Sequence, residues 1–275
     1  MEKRDIYKMV TDRIIQQMEQ GVIPWKKPWG GLKSGAYNRI SKKPYSILNQ
    51  MLLEHTGEYA TYRQWNGLGG KIKKGEKAEV IVFWKILEVE DKETEERKKI
   101  PFLKYSSVFH ISQVEGVEPL EEPHREEISI QNAEDLIEKY VGKEKINFEA
   151  RASNQAYYNP ASDSIVVPVK EQYQHINEYY STVFHEMIHS TGHKTRLNRM
   201  ERKSFFGNEK YSKEELVAEI GAATILNLLD IETELTFQNN VAYIQSWIKK
   251  MKKDDKVIIW AASQAEKAVN YIMNT

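Results

Sequence analysis

Val183-Phe184-His185-Glu186-Met187-Ile188-His189 is an H-E-x-x-H run inside a segment with helical apolar spacing. One turn separates His185 from His189, so both imidazoles leave one face about 6 Å apart. That suits two corners of a tetrahedral metal site. Glu186, beside the first histidine but outside the ligand set, can then act as general base, taking a proton from a metal-bound water. The bland alternative is a helix carrying two hydrogen-bonded histidines. The pattern asks for a third protein ligand, and the chain offers two candidates.

His193 continues the series at i+8, but Gly192 before it marks a helix end. His193 is therefore expected to support a ligand imidazole or to lie at the surface. The metzincin pattern is half present: Gly192 falls three residues after His189, yet Thr195 stands where that pattern has a histidine. The stronger candidate is Tyr211-Ser212-Lys213-Glu214-Glu215-Leu216-Val217-Ala218-Glu219, a second helix whose Leu216, Val217, Ile220 and Ala223 point to a core. Gluzincin metallopeptidases carry their third ligand on such a helix, with an acidic residue four positions later that hydrogen-bonds a ligand histidine. This segment is similar, with Glu215 as ligand and Glu219 as the supporting carboxylate. The two roles can be exchanged, because the sequence does not fix the helix orientation. Tyr211 is a candidate transition-state stabiliser, and the expected cofactor is one zinc, or another divalent metal, per chain.

A chain of 275 residues suffices for two domains of ordinary size. The chain has no cysteine, which excludes Cys-zinc modules, disulfides and thiol catalysis. No apolar run approaches the roughly 20 residues of a membrane span. Met1-Glu2-Lys3-Arg4-Asp5 opens an amphipathic helix rather than a signal peptide, so a cytoplasmic location with no membrane partner is expected. Net charge is zero but unevenly spread: residues 1–114 hold 21 Lys and Arg against 14 Asp and Glu, and residues 115–275 hold 19 against 26. A basic front half suggests a polyanionic partner.

That half begins with a helix over residues 3–20, ended by Gly21. Next comes Gly21-Val22-Ile23-Pro24-Trp25-Lys26-Lys27-Pro28-Trp29-Gly30, too rich in Pro and Gly for a regular element. Residues 21–80 carry 11 Lys and Arg against 4 Asp and Glu, interleaved with aromatics. Cations neutralise phosphates and aromatic faces stack on bases, so this pairing fits single-stranded nucleic acid. The competing reading is a small aromatic core with a solvated lysine face, and it is favoured for Trp65 and Tyr45. Trp25, Lys26, Lys27, Trp29, Lys33, Arg39, Lys42, Lys43, Lys71, Lys73 and Lys74 are the candidate DNA contacts. A short helix is expected over residues 44–55, a strand over 78–87, a charged tip over 91–99 and a returning strand over 102–111.

The expected class is α+β, with residues 1–118 as one domain, 119–127 as an acidic, proline-containing linker and 128–275 as a second domain. The two are expected to be separable. The second domain reads as a helix over 132–141, a strand over 146–150, a hairpin over 156–168, the two metal-bearing helices, and closing helices over 239–252 and 263–273. Residues 164–167 are the candidate edge strand for pairing with an extended peptide.

Taken together, the chain resembles the ArdC family of antirestriction proteins carried by plasmids, conjugative elements and phages. The front half is similar through Gly21-Val22-Ile23-Pro24-Trp25-Lys26-Lys27-Pro28-Trp29, Pro44-Tyr45-Ser46-Ile47-Leu48-Asn49 and Gly69-Gly70-Lys71-Ile72-Lys73-Lys74-Gly75-Glu76. The back half is similar through His185-Glu186-Met187-Ile188-His189-Ser190-Thr191-Gly192-His193, Arg196-Leu197-Asn198-Arg199 and Glu214-Glu215-Leu216-Val217-Ala218-Glu219. The resemblance implies a small single-stranded-DNA-binding domain followed by a zincin-like metallopeptidase domain of gluzincin type. It also implies protection of incoming DNA from host restriction, with host restriction-modification proteins as candidate targets. Two alternatives stand beside it: a DNA-targeted zinc-dependent endopeptidase that cleaves DNA-bound proteins, and a DNA-binding shield whose metal site is not proteolytic.

Overall fold

The computed structural model describes residues 5–26, 35–90, 97–120, 130–200, 209–231 and 241–275, with side chains omitted at 86–90, 97–101, 209–212 and 241–243. Helix α1 (Ile6–Glu19) starts where Asp5 accepts hydrogen bonds from the backbone N–H groups of Tyr7 and Lys8. It buries the stripe Val10, Ile14 and Met18. A single 3-10 turn, Pro24–Lys26, precedes β1 (Ala36–Asn38). Helix α2 (Ile47–Leu52), capped by Ser46, leads to β2 (Gly57–Ala60). Helix α3 (Tyr62–Gly67) opens with a Thr61/Gln64 capping box, and β3 (Lys71–Ile72) follows. The long hairpin β4 (Glu79–Glu90) and β5 (Arg97–His110) comes next, then β6 (Val114–Glu115). These strands form a four-stranded sheet in the order β1-β2-β5-β4 and a small β3-β6 pair.

The back half begins with α4 (Ile130–Glu144), β7 (Asn147–Ala150), β8 (Tyr157–Asn159) and β9 (Ser164–Val167). Helices α5 (Ile176–Thr191), α6 (Glu209–Leu228), α7 (Val241–Lys253) and α8 (Val257–Met273) complete it. The three strands lie in the order β7-β9-β8, so the expectation that residues 164–167 form an edge is wrong. β9 pairs on both sides and all four of its residues are buried. A short unbroken apolar run is what a strand covered on both faces requires, whereas a solvated edge alternates. Helix α8 starts at Val257 rather than 263, because Val257-Ile258-Ile259 has no polar side to betray a helix boundary.

The two halves share one core. A continuous cluster runs from Val10, Ile14, Trp25 and Met51 through Val82 and Leu103 to Phe184, Leu216, Ile258 and Ala265. Polar links cross the same seam: Thr11 Oγ1 donates to the Asp255 carbonyl at 2.6 Å, and the Ile47 N–H donates to Glu266 Oε1 at 3.3 Å. Lys252 Nζ also pairs with Glu19 at 2.9 Å. The expected linker at 119–127 falls mostly outside the described residues, from 121 onward.

Candidate metal centre

Helix α5 presents His185 and His189 because Val183, Phe184, Met187 and Ile188, on its other sides, are all fully buried and fix its rotation. Helix α6 packs closely against it. A Cβ placed on Gly221 would meet Ile188 Cδ1 at 2.6 Å, so this glycine permits the approach. Glu215, about two turns before Gly221, is thereby carried to the histidines.

The ligand atoms of His185, His189 and Glu215 all lie within 4.8 Å of one another. The two Nε2 atoms are 3.1 Å apart, Glu215 Oε1 is 3.3 Å from His189 Nε2, and Glu215 Oε2 is 3.5 Å from His185 Nε2. A tetrahedron with bonds of about 2.0–2.1 Å has edges of about 3.3 Å, so the three donors fit a divalent metal. Glu219 reaches only the Nδ1 of His185, at 3.9 Å. The structure thus brings Glu215, and not Glu219, to the Nε2 atoms, and leaves Glu219 on the far side of the His185 ring beyond hydrogen-bond range.

His189 has a different support, which the sequence reading missed. Its Nδ1 lies 3.4 Å from Glu214 Oε1. Arg199 grips that carboxylate bidentately, with Nε at 2.9 Å from Oε2 and Nη2 at 2.8 Å from Oε1. The guanidinium also donates to Thr191 Oγ1 at 2.9 Å and to the Ile188 carbonyl at 2.7 Å. The side chain of Arg199 is 2% exposed and that of Glu214 is 9%. A fully paired guanidinium behind the carboxylate holds Glu214 anionic and the imidazole in one orientation. The available signal was Arg199 itself, the end of the Arg196-Leu197-Asn198-Arg199 run, together with the doubled glutamate at 214 and 215.

Electrostatics favour a cation at this point. Burial lowers the pKa of His189, but hydrogen bonds to Glu214 and Glu215 outweigh it and push the value up to about 10. His185 moves up in the same way, against burial and through Glu215. Burial opposes ionisation of Glu215, and its hydrogen bonds to the two imidazoles reverse that and hold it well below the carboxylate range. Glu186 is buried at 7% exposure on the same helix turn as His185. His193 sits in the turn after α5, where its Nδ1 engages Thr195 Oγ1 at 2.7 Å. The side chain of Tyr211 lies outside the described residues.

The candidate DNA contacts divide sharply. Trp25 is 1% exposed and belongs to the shared core, so its ring offers no face to a base. Lys26 follows it against α6; burial pulls its pKa down to about 8, opposed by the Glu219 carboxylate. Arg39 pairs with the buried Glu58 and donates to the Glu118 carbonyl at 3.2 Å. Trp25, Lys26 and Arg39 are therefore packing and pairing residues. A composition count missed this because burial depends on distant partners. Lys42, Lys43, Lys71, Lys73 and Lys74 are exposed, and Lys73 Nζ donates to the Ser112 carbonyl at 2.8 Å. Lys27, Trp29 and Lys33 lie outside the described residues. Trp65 is fully buried and donates from Nε1 to the Phe109 carbonyl at 2.9 Å. Among the described residues, no helix is long and apolar enough to cross a membrane.

Comparison with known proteins agrees with this layout. Residues 4–109 match the N-terminal domain of anti-restriction factor ArdC, and residues 135–264 match a zincin-like metallopeptidase. The antirestriction protein ArdC of plasmid R388 has been solved in metal-free and Mn(II)-bound forms, 33% and 32% identical to this chain. Each superposes with a TM-score of 0.79 over 98% of this chain, covering 97% and 98% of the respective structure. The uncharacterized protein y4eC of Sinorhizobium fredii (strain NBRC 101917 / NGR234) is 30% identical over 98% of this chain and 91% of its own length. A DNA primase TraC of Escherichia coli is also 30% identical over 98% of this chain, which spans only 20% of that protein.

Proposed function

The chain belongs to the ArdC family of antirestriction proteins, and from that premise we propose that it binds single-stranded DNA and hydrolyses a peptide bond at a zinc centre. The observation that carries the hydrolytic part is the convergence of His185 Nε2, His189 Nε2 and Glu215, with Glu186 on the adjoining turn. These three ligands would hold one zinc, or a related ion such as the manganese bound by the R388 protein. The ion would supply Lewis acidity toward a water and a peptide carbonyl. Glu186 is placed to take a proton from the attacking water as its oxygen adds to the carbonyl carbon. It then returns the proton to the leaving nitrogen as the C–N bond breaks. Arg199 and Glu214 hold His189 in register throughout, and no redox partner is needed.

The shared core favours a DNA-targeted endopeptidase over two independent activities. Trp25 and Lys26, from the front half, pack on the helix that carries Glu215. Host restriction-modification subunits bound to the incoming strand are the substrate class that joins the two halves' chemistry. The test is cleavage of such subunits by the purified full chain, with and without single-stranded DNA, beside Glu186→Ala. Metal-dependent cleavage that Glu186→Ala abolishes supports the proposal. Intact subunits after incubation with metal-loaded wild type would leave DNA shielding as the operative activity.

A further inference from the structure

The loss of Trp25, Lys26 and Arg39 as contact residues leaves the question of where a strand of nucleic acid would lie. The hairpin β4–β5 is the longest sheet element among the described residues, with a register that pairs Val82 with Tyr105, Phe83 with Lys104, Trp84 with Leu103 and Lys85 with Phe102. Opposed residues share a face, and successive residues alternate. Val82 and Leu103 are each 4% exposed and seat one face against the core, while Trp84 and Tyr105 on that same face are 49% and 40% exposed. Phe83, Lys85, Phe102 and Lys104 must therefore point the other way.

On that outward face each ring stands opposite a lysine, so cations and aromatics alternate in a checkerboard. Phe83 is 44% exposed and Lys85 is exposed, while Lys104 Nζ rides over the Phe102 ring, 5.2 Å from its centroid. Among the described side chains from Ile81 outward, no acidic residue shares the face. Lysines alone would be accounted for as guards against edge-to-edge aggregation. Edge protection does not account for the exposed Phe83 ring, nor for the half-buried Phe102 ring with Lys104 held over it.

We propose that single-stranded nucleic acid lies across this outward face of the β4–β5 hairpin, with bases stacked on Phe83 and Phe102 and phosphates held by Lys85 and Lys104. The proposal rests on the DNA-binding reading given above and adds its location. Single strands suit the surface because unpaired bases offer a π face, which stacked duplex bases hide.

The test is fluorescence anisotropy of the full chain with a labelled oligothymidylate over a range of salt. Phe83→Ala and Phe102→Ala should each weaken binding about 5- to 100-fold if each ring stacks on one base. Phe83→Leu keeps the apolar bulk without the π face and should lose most of the same affinity. Lys85→Ala and Lys104→Ala should each reduce the slope of log K against log salt by about 0.7, and Lys→Arg should restore it. Unchanged affinity and slope in all of these variants, with binding lost instead when Lys42, Lys43, Lys71 and Lys74 are neutralised, would overturn the location and leave DNA binding standing. Equal binding of duplex and single strand, insensitive to the Phe variants, would reduce the face to a diffuse charge effect and overturn the stacking. No binding by wild type at low salt would remove the DNA-binding reading itself.

Discussion

The α5–α6 seam and the β4–β5 hairpin both concentrate charged and aromatic groups, but they hold them under opposite conditions. In the seam, His189, Glu186, Glu214 and the Arg199 guanidinium are withdrawn from water, His185, Glu215 and Glu219 are largely so, and Glu214 is neutralised by Arg199 at 2.8 Å. On the hairpin, Phe83 and Lys85 remain exposed to solvent. Buried charge has strong interactions and severe penalties for a missing partner, whereas exposed charge is screened and largely replaceable by water. The seam should therefore respond to single substitutions with large effects, and the exposed lysines should affect ligand binding without affecting the fold.

The largest contrast is chemical. Glu186→Ala removes the proton acceptor and no ligand, so peptide hydrolysis should fall by a factor of about a hundred to ten thousand. Metal content by atomic absorption and the urea midpoint should stay near wild type. A loss of metal in this variant would make Glu186 a ligand rather than a base.

Arg199→Met comes next, because it strips the buried Glu214 carboxylate of its guanidinium and leaves it only the 3.4 Å contact with His189. Breaking a buried pair this way costs about 3–5 kcal/mol, read from chemical denaturation, and the loosened His189 should weaken metal binding roughly 10- to 100-fold. Restored stability in the double variant Arg199→Met/Glu214→Gln would identify the stranded charge as the cause.

Gly221→Ala tests the close approach of the two helices. Its new Cβ would lie 2.6 Å from Ile188 Cδ1, and overpacking of this kind costs about 1–3 kcal/mol. Ile188→Val should recover part of that loss. A neutral Gly221→Ala would show that α5 and α6 can separate without harm to the site.

In the metal-free protein the seam also sets a pH dependence. The folded pKa of His189, about 10, lies above its ordinary 6.5. The stabilisation from its protonation is therefore full below about pH 6.5 and drains away as the pH rises through about 10. Glu215, held low, stabilises above the carboxylate range and loses that contribution in acid. The urea midpoint of metal-free protein should decline from neutral to alkaline pH, and metal should flatten the decline because it takes the place of the protons. A midpoint that rises over that range would show both imidazoles to be neutral. The smallest effect is expected at the surface: Lys42→Ala and Lys43→Ala should each change stability by no more than about 0.5 kcal/mol.

What could be read from the chain alone was whatever repeats with a helix or strand. The His185–His189 pair, the i,i+4 placement of Glu215 and Glu219 and the antiparallel pairing of β4 with β5 follow from local periods that no distant contact alters. The tertiary structure alone decided the rest. It set Glu215 rather than Glu219 against both Nε2 atoms, because the rotation of α6 is fixed by core packing and by the contact of Gly221 with Ile188. It drew Arg199 to Glu214 across a turn, sank Trp25 into a core built from both halves, tied Arg39 to Glu58, and made β9 the middle of its sheet. Each of these depends on partners far away in sequence. Burial and pairing energies are properties of the assembled contacts, so local spacing names the side chains that can act, and packing determines which of them meet.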